Sequence, residues 1–221
     1  MPIRVLRIPK PLPFNDGLEL QRAEGAALES SAGRTATLIL LQHTPVFTLG
    51  RKTAAHDLLC SPRELAARTG AEVVETDRGG SVTFHAPGQL TAYLLLNLRA
   101  WNLTIHAHLD NLEQVAIQTI AHFGITGRRE PRMTGVWVEA PAQGRNAAEK
   151  ICAIGVSVRR WVSYHGLSLN VDLDLRPFLE VVPCGLAGRA VTSMSRVLGR
   201  PVPLNAVADA MSAAFGEVYG A

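Results

Sequence analysis

Runs of apolar residues in the second half of the chain follow one another with only turns between them, and this succession constrains the fold most. Residues 135–139, 150–159 and 162–172 each have the length and apolar content of a β-strand. The polar stretch 141–149 is predicted to be the hairpin loop between the first two of these strands. Strands in series favour a mixed or mostly antiparallel sheet over a regular alternation of strands and helices.

The rest of the chain supplies further strands and a few helices. The glycine pair 79–80 is predicted to lie in a tight connection between two strands. We therefore expect an α/β fold of the α+β kind, with a mixed, largely antiparallel sheet covered by helices. Further strands are predicted at 35–43, 72–76, 81–85 and 90–98, and helices at 17–32, 64–68, 105–123 and 204–215.

Length and composition favour a globular protein with a substantial core. The chain has 221 residues, of which 47% are hydrophobic and 19% charged, so we predict one domain spanning residues 1–221. The net charge of +3 is too small to indicate nucleic acid binding. No apolar run approaches the ~20 residues that cross a bilayer, and the N-terminus lacks a signal-peptide pattern. A cytoplasmic monomer without membrane attachment is expected.

Cys184 is the candidate nucleophile among three cysteines. It lies between Pro183 and Gly185, so a turn can project its thiol into a cleft, and Gly185 and Gly188 let backbone amides approach a carbonyl oxygen. The alternative is a buried, inert thiol, which is the commoner fate of a free cysteine. Cys152 and Cys60 have apolar neighbours and are predicted to be packing residues.

Lys150 opens a predicted strand, and two interpretations of it remain open. It is a residue at the strand edge with its ammonium in solvent, or it approaches Cys184 in space across 34 residues of chain. An ammonium within ~4–6 Å of a thiol favours the thiolate and can exchange protons with leaving and attacking groups. A thiol and an ammonium among glycine turns are the groups that acyl transfer through a thioester uses.

His85 and His165 are the histidines best placed for chemistry. Either could pair with a cysteine, although a histidine that fixes a loop by hydrogen bonding is the preferred interpretation. The cysteines and histidines lack the short paired spacings of zinc sites, so no metal is expected. No phosphate-binding loop of the Walker type and no dinucleotide-binding glycine motif is present, and the pair of glycines after Arg78 is a weak phosphate signal. No cofactor is expected.

Taken together, several motifs in order along most of the chain resemble the octanoyltransferases of lipoate synthesis. No single motif would suffice for the resemblance. The motifs that carry it are residues 42–50, 78–85 with 87–90, 135–138, 150–155, 165–172, and 183–185 with 192–194.

The resemblance implies a fold related to the catalytic domains of biotin and lipoate protein ligases. It also implies transfer of an octanoyl group from acyl carrier protein to a lysine of lipoyl domains, in 2-oxoacid dehydrogenase complexes and in the H protein of glycine cleavage. By motif, Cys184 resembles the acyl-thioester nucleophile and Lys150 its activating partner. The implied substrate-binding residues are Arg78, Gly79, Gly80, Ser81, Val82, Thr83, Phe84, His85, Ala153, Ile154, Gly155, Gly166, Leu167 and Ser168.

Two departures from the family pattern stand out, because Phe84 and Ala86 lie where tyrosine and glycine are more usual. The loop at 141–149 also looks longer than usual. Three alternatives to octanoyl transfer remain open: an ATP-dependent lipoate or biotin ligase on the same fold, a non-catalytic acyl-binding module, and a cysteine hydrolase. They differ in whether ATP is consumed, whether an acyl-enzyme forms, and whether free octanoate is released.

Overall fold

A computed structural model of the chain describes residues 1–30, 35–139, 148–182 and 190–220. Its strands are β1 (Ile3–Arg7), β2 (Ala36–Leu41), β3 (Val46–Leu49), β4 (Glu72–Glu75), β5 (Val82–His85), β6 (Gln89–Leu95), β7 (Arg128–Glu130), β8 (Met133–Glu139), β9 (Ala148–Arg159) and β10 (Val162–Asn170). Its helices are α1 (Phe14–Ser30), α2 (Pro62–Thr69), α3 (Ile105–Ala121), α4 (Met194–Leu198) and α5 (Leu204–Tyr219).

The strands form one large and one small sheet. The large sheet has seven strands in the order β1-β2-β6-β10-β9-β8-β7, and the small sheet has three in the order β4-β3-β5. Two pairs, β1 with β2 and β3 with β4, are parallel, and the other pairs are antiparallel. The predicted mixed, largely antiparallel sheet covered by helices is confirmed.

Helices cover both faces of the large sheet. One face packs against α3 and α5, where residues such as Leu112, Ile120 and Phe215 are fully buried against apolar strand residues. On the opposite face, α1 packs against β2 and β6 through Leu28, while the small sheet has its own apolar core. Strands β9 and β10 therefore have an apolar helical layer on one side and face the small sheet on the other.

The structure differs from the predicted elements at several places. β9 begins at Ala148, so residues 148 and 149 of the predicted loop at 141–149 belong to a strand, and the rest of that loop lies outside the described residues. β1, β3, β7 and α4 were not predicted; β1 and β7 are short edge strands of the large sheet, and their residues are exposed or half-buried. β4 and β5 do not pair with each other, because β3 lies between them. The connection that contains glycines 79–80 therefore crosses the end of β3.

Local sequence explains where several helices begin and end. Ser61 caps α2, its hydroxyl accepting a hydrogen bond from the Glu64 amide, while the Ser61 amide donates to the Glu64 carboxylate. Gly70 ends that helix in the left-handed conformation, at a φ of 69°. Among the described residues, no helix combines the length and apolarity that a membrane crossing requires.

Candidate active site

A cavity of about 480 Å³ lies between the small sheet and the inner face of the large sheet. Its lining includes twelve residues from the segments that the resemblance assigns to substrate binding. These are Arg78, Gly80, Ser81, Val82, Thr83, His85, Ala153, Ile154, Gly155, Gly166, Leu167 and Ser168. The fold thus brings together three segments that are far apart in the sequence. Their role in binding substrate stays a prediction.

Gly79 and Phe84 belong to the same predicted set but are not among the described residues that line the cavity. The Phe84 ring packs in the core of the small sheet, with its centroid 4.8 Å from the centroid of Phe47. The Gly79 amide donates to the Val156 carbonyl at 2.9 Å, which fastens the 78–80 turn to β9. Both residues therefore support the segments that line the cavity without lining it themselves.

Glycines at paired positions of β9 and β10 make room for the cavity and for the turn beside it. Gly155 and Gly166 are opposite each other in the sheet register. A Cβ atom on Gly155 would lie 2.6 Å from the Gly79 carbonyl oxygen, closer than any stable contact of that kind. The absence of a side chain at 155 therefore lets the 78–80 turn lie directly on the sheet.

Arg78 is buried and hydrogen-bonded to neighbouring protein groups. Its guanidinium donates to the Thr48 carbonyl at 2.6 Å, to the Thr48 hydroxyl at 2.8 Å and to the Gly79 carbonyl at 3.0 Å. Charge-assisted hydrogen bonds of this kind are stronger than neutral ones. Arg78 thus anchors the turn to β3 and places a positive charge in the cavity wall.

His85 is held as a neutral imidazole by its surroundings. Its Nδ1 donates to the Gln89 side-chain oxygen at 2.7 Å, and its Nε2 accepts from the Thr48 hydroxyl at 3.2 Å. Complete burial lowers the pKa of His85 well below its usual value, and the nearby His43 and Arg78 lower that pKa further. A neutral histidine in this place orients its neighbours and cannot serve as a cation at neutral pH.

Three cavity residues were not singled out from the sequence, namely Phe14, Thr91 and Tyr93. Tyr93 is fixed by His43, whose Nδ1 donates to the Leu12 carbonyl at 2.9 Å and whose Nε2 lies 2.6 Å from the tyrosine hydroxyl. Burial lowers the pKa of His43 to about 4, so its neutral ring accepts the tyrosine proton. The only signal in the sequence was the position of His43 in the motif at 42–50.

His165 lines the cavity and is fixed at both its backbone and its ring. Its amide donates to the Gln21 side chain at 2.7 Å, and its Nε2 bonds Asp77 Oδ1 at 3.0 Å. That bond, followed by the positive charge of Arg159, holds the pKa of Asp77 well below its usual range, although burial opposes the shift. The preferred sequence interpretation, a histidine that fixes a loop, agrees with these contacts.

Lys150 is buried, with 5% of its surface exposed, and so does not extend from the strand edge into solvent. Its ammonium donates to the Thr134 carbonyl at 3.0 Å and lies 4.7 Å from the centre of the Trp137 ring. Gly135 makes room beside it, because a Cβ atom there would lie 3.4 Å from Nζ. A carbonyl and an aromatic face both favour a positive charge at this position.

Cys184, with the neighbouring residues 183–185 of its motif, lies outside the described residues. The described backbone on its C-terminal side is in contact with Lys150: the Lys150 amide donates to the Ala190 carbonyl, and the Thr192 amide donates to the Lys150 carbonyl, each at 2.9 Å. On the N-terminal side, the Val182 amide donates to the Asp57 carbonyl at 2.8 Å.

The two other cysteines are packing residues, as predicted. Cys152 is fully buried in the core of the large sheet, and burial raises the pKa of its thiol far above the usual value. Cys60 packs at the border of the small-sheet core. Within the described part of the chain, no cluster of three or more histidine, cysteine or acidic side chains could hold a metal ion.

Comparison with known families identifies the group to which this site belongs. The model of the lipoyl protein ligase A/B catalytic domain matches residues 16–216. The chain belongs to this family. Among its curated relatives, the octanoyltransferase of Chloroflexus aurantiacus is 46% identical over 195 residues, covering 87% of this chain and 84% of the relative. The octanoyltransferase of Rubrobacter xylanophilus is 42% identical over 217 residues, covering 98% of this chain and 93% of the relative.

A solved structure also shares the fold. A chain from the structural analysis of a bipartite lipoate protein ligase and its E2 lipoyl domain from Thermoplasma acidophilum superposes with a TM-score of 0.73 at 14% identity, covering 99% of this chain and 83% of that one. The predicted relation to lipoate ligase catalytic domains is confirmed. The relatives also confirm the prediction of an acyltransferase that transfers octanoyl groups in lipoylation.

Proposed function

We propose that this acyltransferase takes its octanoyl group from octanoyl-acyl carrier protein and holds it as a thioester on Cys184. The acceptor is a lysine of a lipoyl domain, in 2-oxoacid dehydrogenase complexes or in the H protein of glycine cleavage. The observation that carries the proposal is the cavity along β9, whose strand also carries the buried Lys150. Each methylene buried there contributes ~0.8 kcal/mol, enough for an eight-carbon chain to supply most of the donor affinity.

In the first half-reaction, the thiolate of Cys184 attacks the carbonyl carbon of the donor thioester. The bond from that carbon to the pantetheine sulfur breaks, and the Lys150 ammonium gives its proton to the departing thiolate. Backbone amides of the glycine-rich segments stabilise the oxyanion of the tetrahedral intermediate. An octanoyl thioester on Cys184 and a neutral Lys150 amine remain.

In the second half-reaction, Lys150 takes a proton from the amine of the acceptor lysine. That amine attacks the thioester carbonyl, an amide forms, and Cys184 leaves as a thiolate beside the regenerated ammonium. Aminolysis of a thioester runs downhill, so the proposal needs neither ATP nor a metal. The contacts of Lys150 with Thr134 and Trp137 support this role, because they hold its side-chain nitrogen in a fixed position inside the protein.

Chain connectivity also supports the pairing of Cys184 with Lys150. The backbone of Lys150 is hydrogen-bonded on both sides to the segment 190–192, which begins six residues after Cys184. In this proposal residues 1–221 form a single catalytic domain, since the large sheet pairs strands from both halves of the chain. The monomeric state and the cytoplasmic location remain predictions.

Intact-mass spectrometry after incubation with octanoyl-acyl carrier protein tests the mechanism. The wild-type protein is expected to gain one octanoyl group without ATP, and Cys184→Ala to gain none. Cys60→Ser, which changes a packing cysteine, is the matched control and should label like wild type. Label that persists in Cys184→Ala would remove this cysteine from the mechanism, and a requirement for ATP with an adenylated acid would favour a ligase.

Lys150→Ala tests the second residue of the pair. Loss of the ammonium is expected to shift the pH midpoint of Cys184 alkylation upward and to slow acyl-enzyme formation by a factor on the order of 10²–10⁴, the usual contribution of a general acid–base group. An unchanged pH profile of alkylation would argue against the pairing.

A further inference from the structure

The cavity has a direction, which the register of β9 and β10 defines. Ala153 is opposite Ser168, Gly155 is opposite Gly166, and Val156 is opposite His165. Lys150 precedes these positions on β9, and it marks the reactive end of the cavity. The path along β9 from Lys150 to Val156 therefore leads away from that end. His165 is the last cavity-lining residue on this path and lies at the far end.

His165 reaches the cavity because its backbone breaks the alternation of the strand. Leu169 of β10 packs in the core beneath α3 and α5, and regular alternation would send residue 165 to that side as well. Instead His165 has a φ of 63°, in the left-handed region, and its ring lies against Tyr93 with centroids 6.1 Å apart. The unusual backbone therefore places an imidazole among cavity residues.

A second, polar pocket of about 350 Å³ lies on the other side of His165. It is lined by Asp77, Arg159, Gln21, Arg22, Leu18 and Tyr164 together with His165 itself. His165 is the residue that lines both spaces. Its imidazole is thus a partition between a mostly apolar cavity and a pocket that contains an ion pair, Arg159 with Asp77 at 2.8 Å.

This partition is held firmly. The ring is hydrogen-bonded to Asp77 at 3.0 Å, the backbone amide to Gln21 at 2.7 Å, and 4% of the side chain is exposed. A longer acyl chain would have to displace the imidazole and enter a space lined by charges. Methylenes gain nothing by burial next to unshielded polar groups, and the groups lose their hydrogen bonds.

We propose that His165 is the end wall of the acyl cavity and sets the upper limit of acyl chain length. This inference rests on the proposed function, since it assumes that the acyl group of the donor occupies the cavity. It adds a residue that determines specificity without taking part in the chemical steps.

The test is His165→Gly, since glycine adopts the left-handed conformation without strain and opens the cavity to the polar pocket. Wild type and variant are each given an equal mixture of octanoyl- and decanoyl-acyl carrier protein, and acyl-enzyme species are counted by intact mass. Wild type should carry octanoyl. In the variant the two further methylenes of decanoyl occupy the space that the imidazole vacates, before the charged groups of the polar pocket. The decanoyl-to-octanoyl ratio should therefore rise by up to about sixteenfold, given a gain of about fourfold for each additional buried methylene.

Arg22→Ala is the matched control, because Arg22 lines the polar pocket and not the acyl cavity. It should keep the wild-type ratio. His165→Asn, which tolerates the left-handed conformation and shortens the side chain, should give an intermediate ratio and decides the question if the glycine variant does not fold.

An unchanged ratio in folded, octanoyl-labelled His165 variants overturns the end-wall role, as does an equal shift in Arg22→Ala. Failure of wild type to form any acyl-enzyme overturns the proposed function instead. The two failures are therefore distinguishable in one experiment.

Discussion

At the scale of single residues, the site depends on positions where a side chain is missing as much as on those where one is present. Gly155 lets the turn at 78–80 touch β9, and Gly135 leaves room beside the Lys150 ammonium. At Gly155 the constraint is contact with another segment, since Gly155 has no left-handed backbone that would require glycine. At Gly135 the backbone adds its own constraint, because its φ of 124° is one that residues with a side chain rarely adopt.

Gly155→Ala is predicted to damage both stability and activity. The added methyl group would lie 2.6 Å from the Gly79 carbonyl, so the turn must move away from β9. Overpacking of this kind costs about 1–3 kcal/mol of the free energy of unfolding, measured by urea denaturation. kcat/KM for the octanoyl donor should fall because the displaced turn carries cavity residues.

Gly79→Ala is the neighbouring control. A Cβ there would meet the Val156 carbonyl at 3.3 Å, a contact that a small shift relieves. Its effect on unfolding should be smaller than that of Gly155→Ala. Equal stability and activity of the two variants and wild type would contradict the role of Gly155.

Sequence reasoning identified cavity residues where a motif combined polar or glycine residues, and missed them where they resembled ordinary core. The stretch after Arg78 and the glycines at 155 and 166 are unusual within strands and turns, and they therefore indicate candidate site residues. Phe14 and Tyr93 have the pattern of buried aromatic residues in a helix and a strand. Their place at the cavity follows from packing of α1 on the sheet, which local sequence does not encode.

At the scale of elements, a line of buried hydrogen bonds connects the small sheet to the strand of Lys150. Thr48 of β3 bonds His85 of β5, and His85 bonds Gln89 at the start of β6. Gln89 donates to Asn170 at 2.9 Å, and Asn170 donates at 2.9 Å to the carbonyl of Thr192, whose amide donates to Lys150. The line fixes the segment 190–192 relative to both sheets.

Asn170→Asp is predicted to break this line at one point. A carboxylate can still accept from Gln89 but cannot donate to the Thr192 carbonyl, which is left facing another acceptor. An unsatisfied buried group costs about 1–3 kcal/mol, more where a charge is involved, and urea denaturation should show a loss of at least that size. Acyl-enzyme formation should also slow, because the segment that pairs with Lys150 is loosened.

The exposed Asn205 of α5 offers a control for the same change. Asn205→Asp should alter the free energy of unfolding by no more than about 0.5 kcal/mol, as is usual for surface positions. A loss at Asn170 no greater than that at Asn205 would show that the line contributes nothing to stability.

The sequence predicts a strand correctly where the strand is long and one of its faces is apolar. It does not predict how the short strands pair. The three strands predicted in series, β8, β9 and β10, pair antiparallel in that order. β4 and β5 are also adjacent in sequence, yet β3 pairs with both. The place of β3 depends on contacts with residues more than 20 positions away, and hydrophobic periodicity carries no information about them.

At the scale of the whole molecule, buried neutral histidines make stability depend on pH. Burial lowers the pKa of both His43 and His108 to about 4, and it also lowers the pKa of His85 and His165. In the unfolded chain a histidine has a pKa of about 6.5. Between those values the unfolded state binds protons that the folded state does not.

Acid is therefore predicted to destabilise the fold in the window from about pH 6.5 to pH 4. Above pH 6.5 the histidines are neutral in both states, and their contribution to stability is fully present. As pH falls through the window, each of His43 and His108 removes about 1.4 kcal/mol of unfolding free energy for every pH unit. That is about 3 kcal/mol for each histidine over the whole window. Urea denaturation at pH 7.5, 6.5, 5.5 and 4.5 measures the slope.

His108→Gln separates this effect from the chemistry of the site. His108 is buried under Tyr219, between α3 and α5, on the face of the large sheet opposite the cavity. Glutamine can still bond the Tyr219 hydroxyl but does not titrate, so the slope should decrease by about 1.4 kcal/mol per pH unit. Octanoyl transfer at pH 7.5 should be unchanged in the variant. A wild-type unfolding free energy that is constant from pH 6.5 to 4.5 would mean that these histidines protonate without leaving their buried positions.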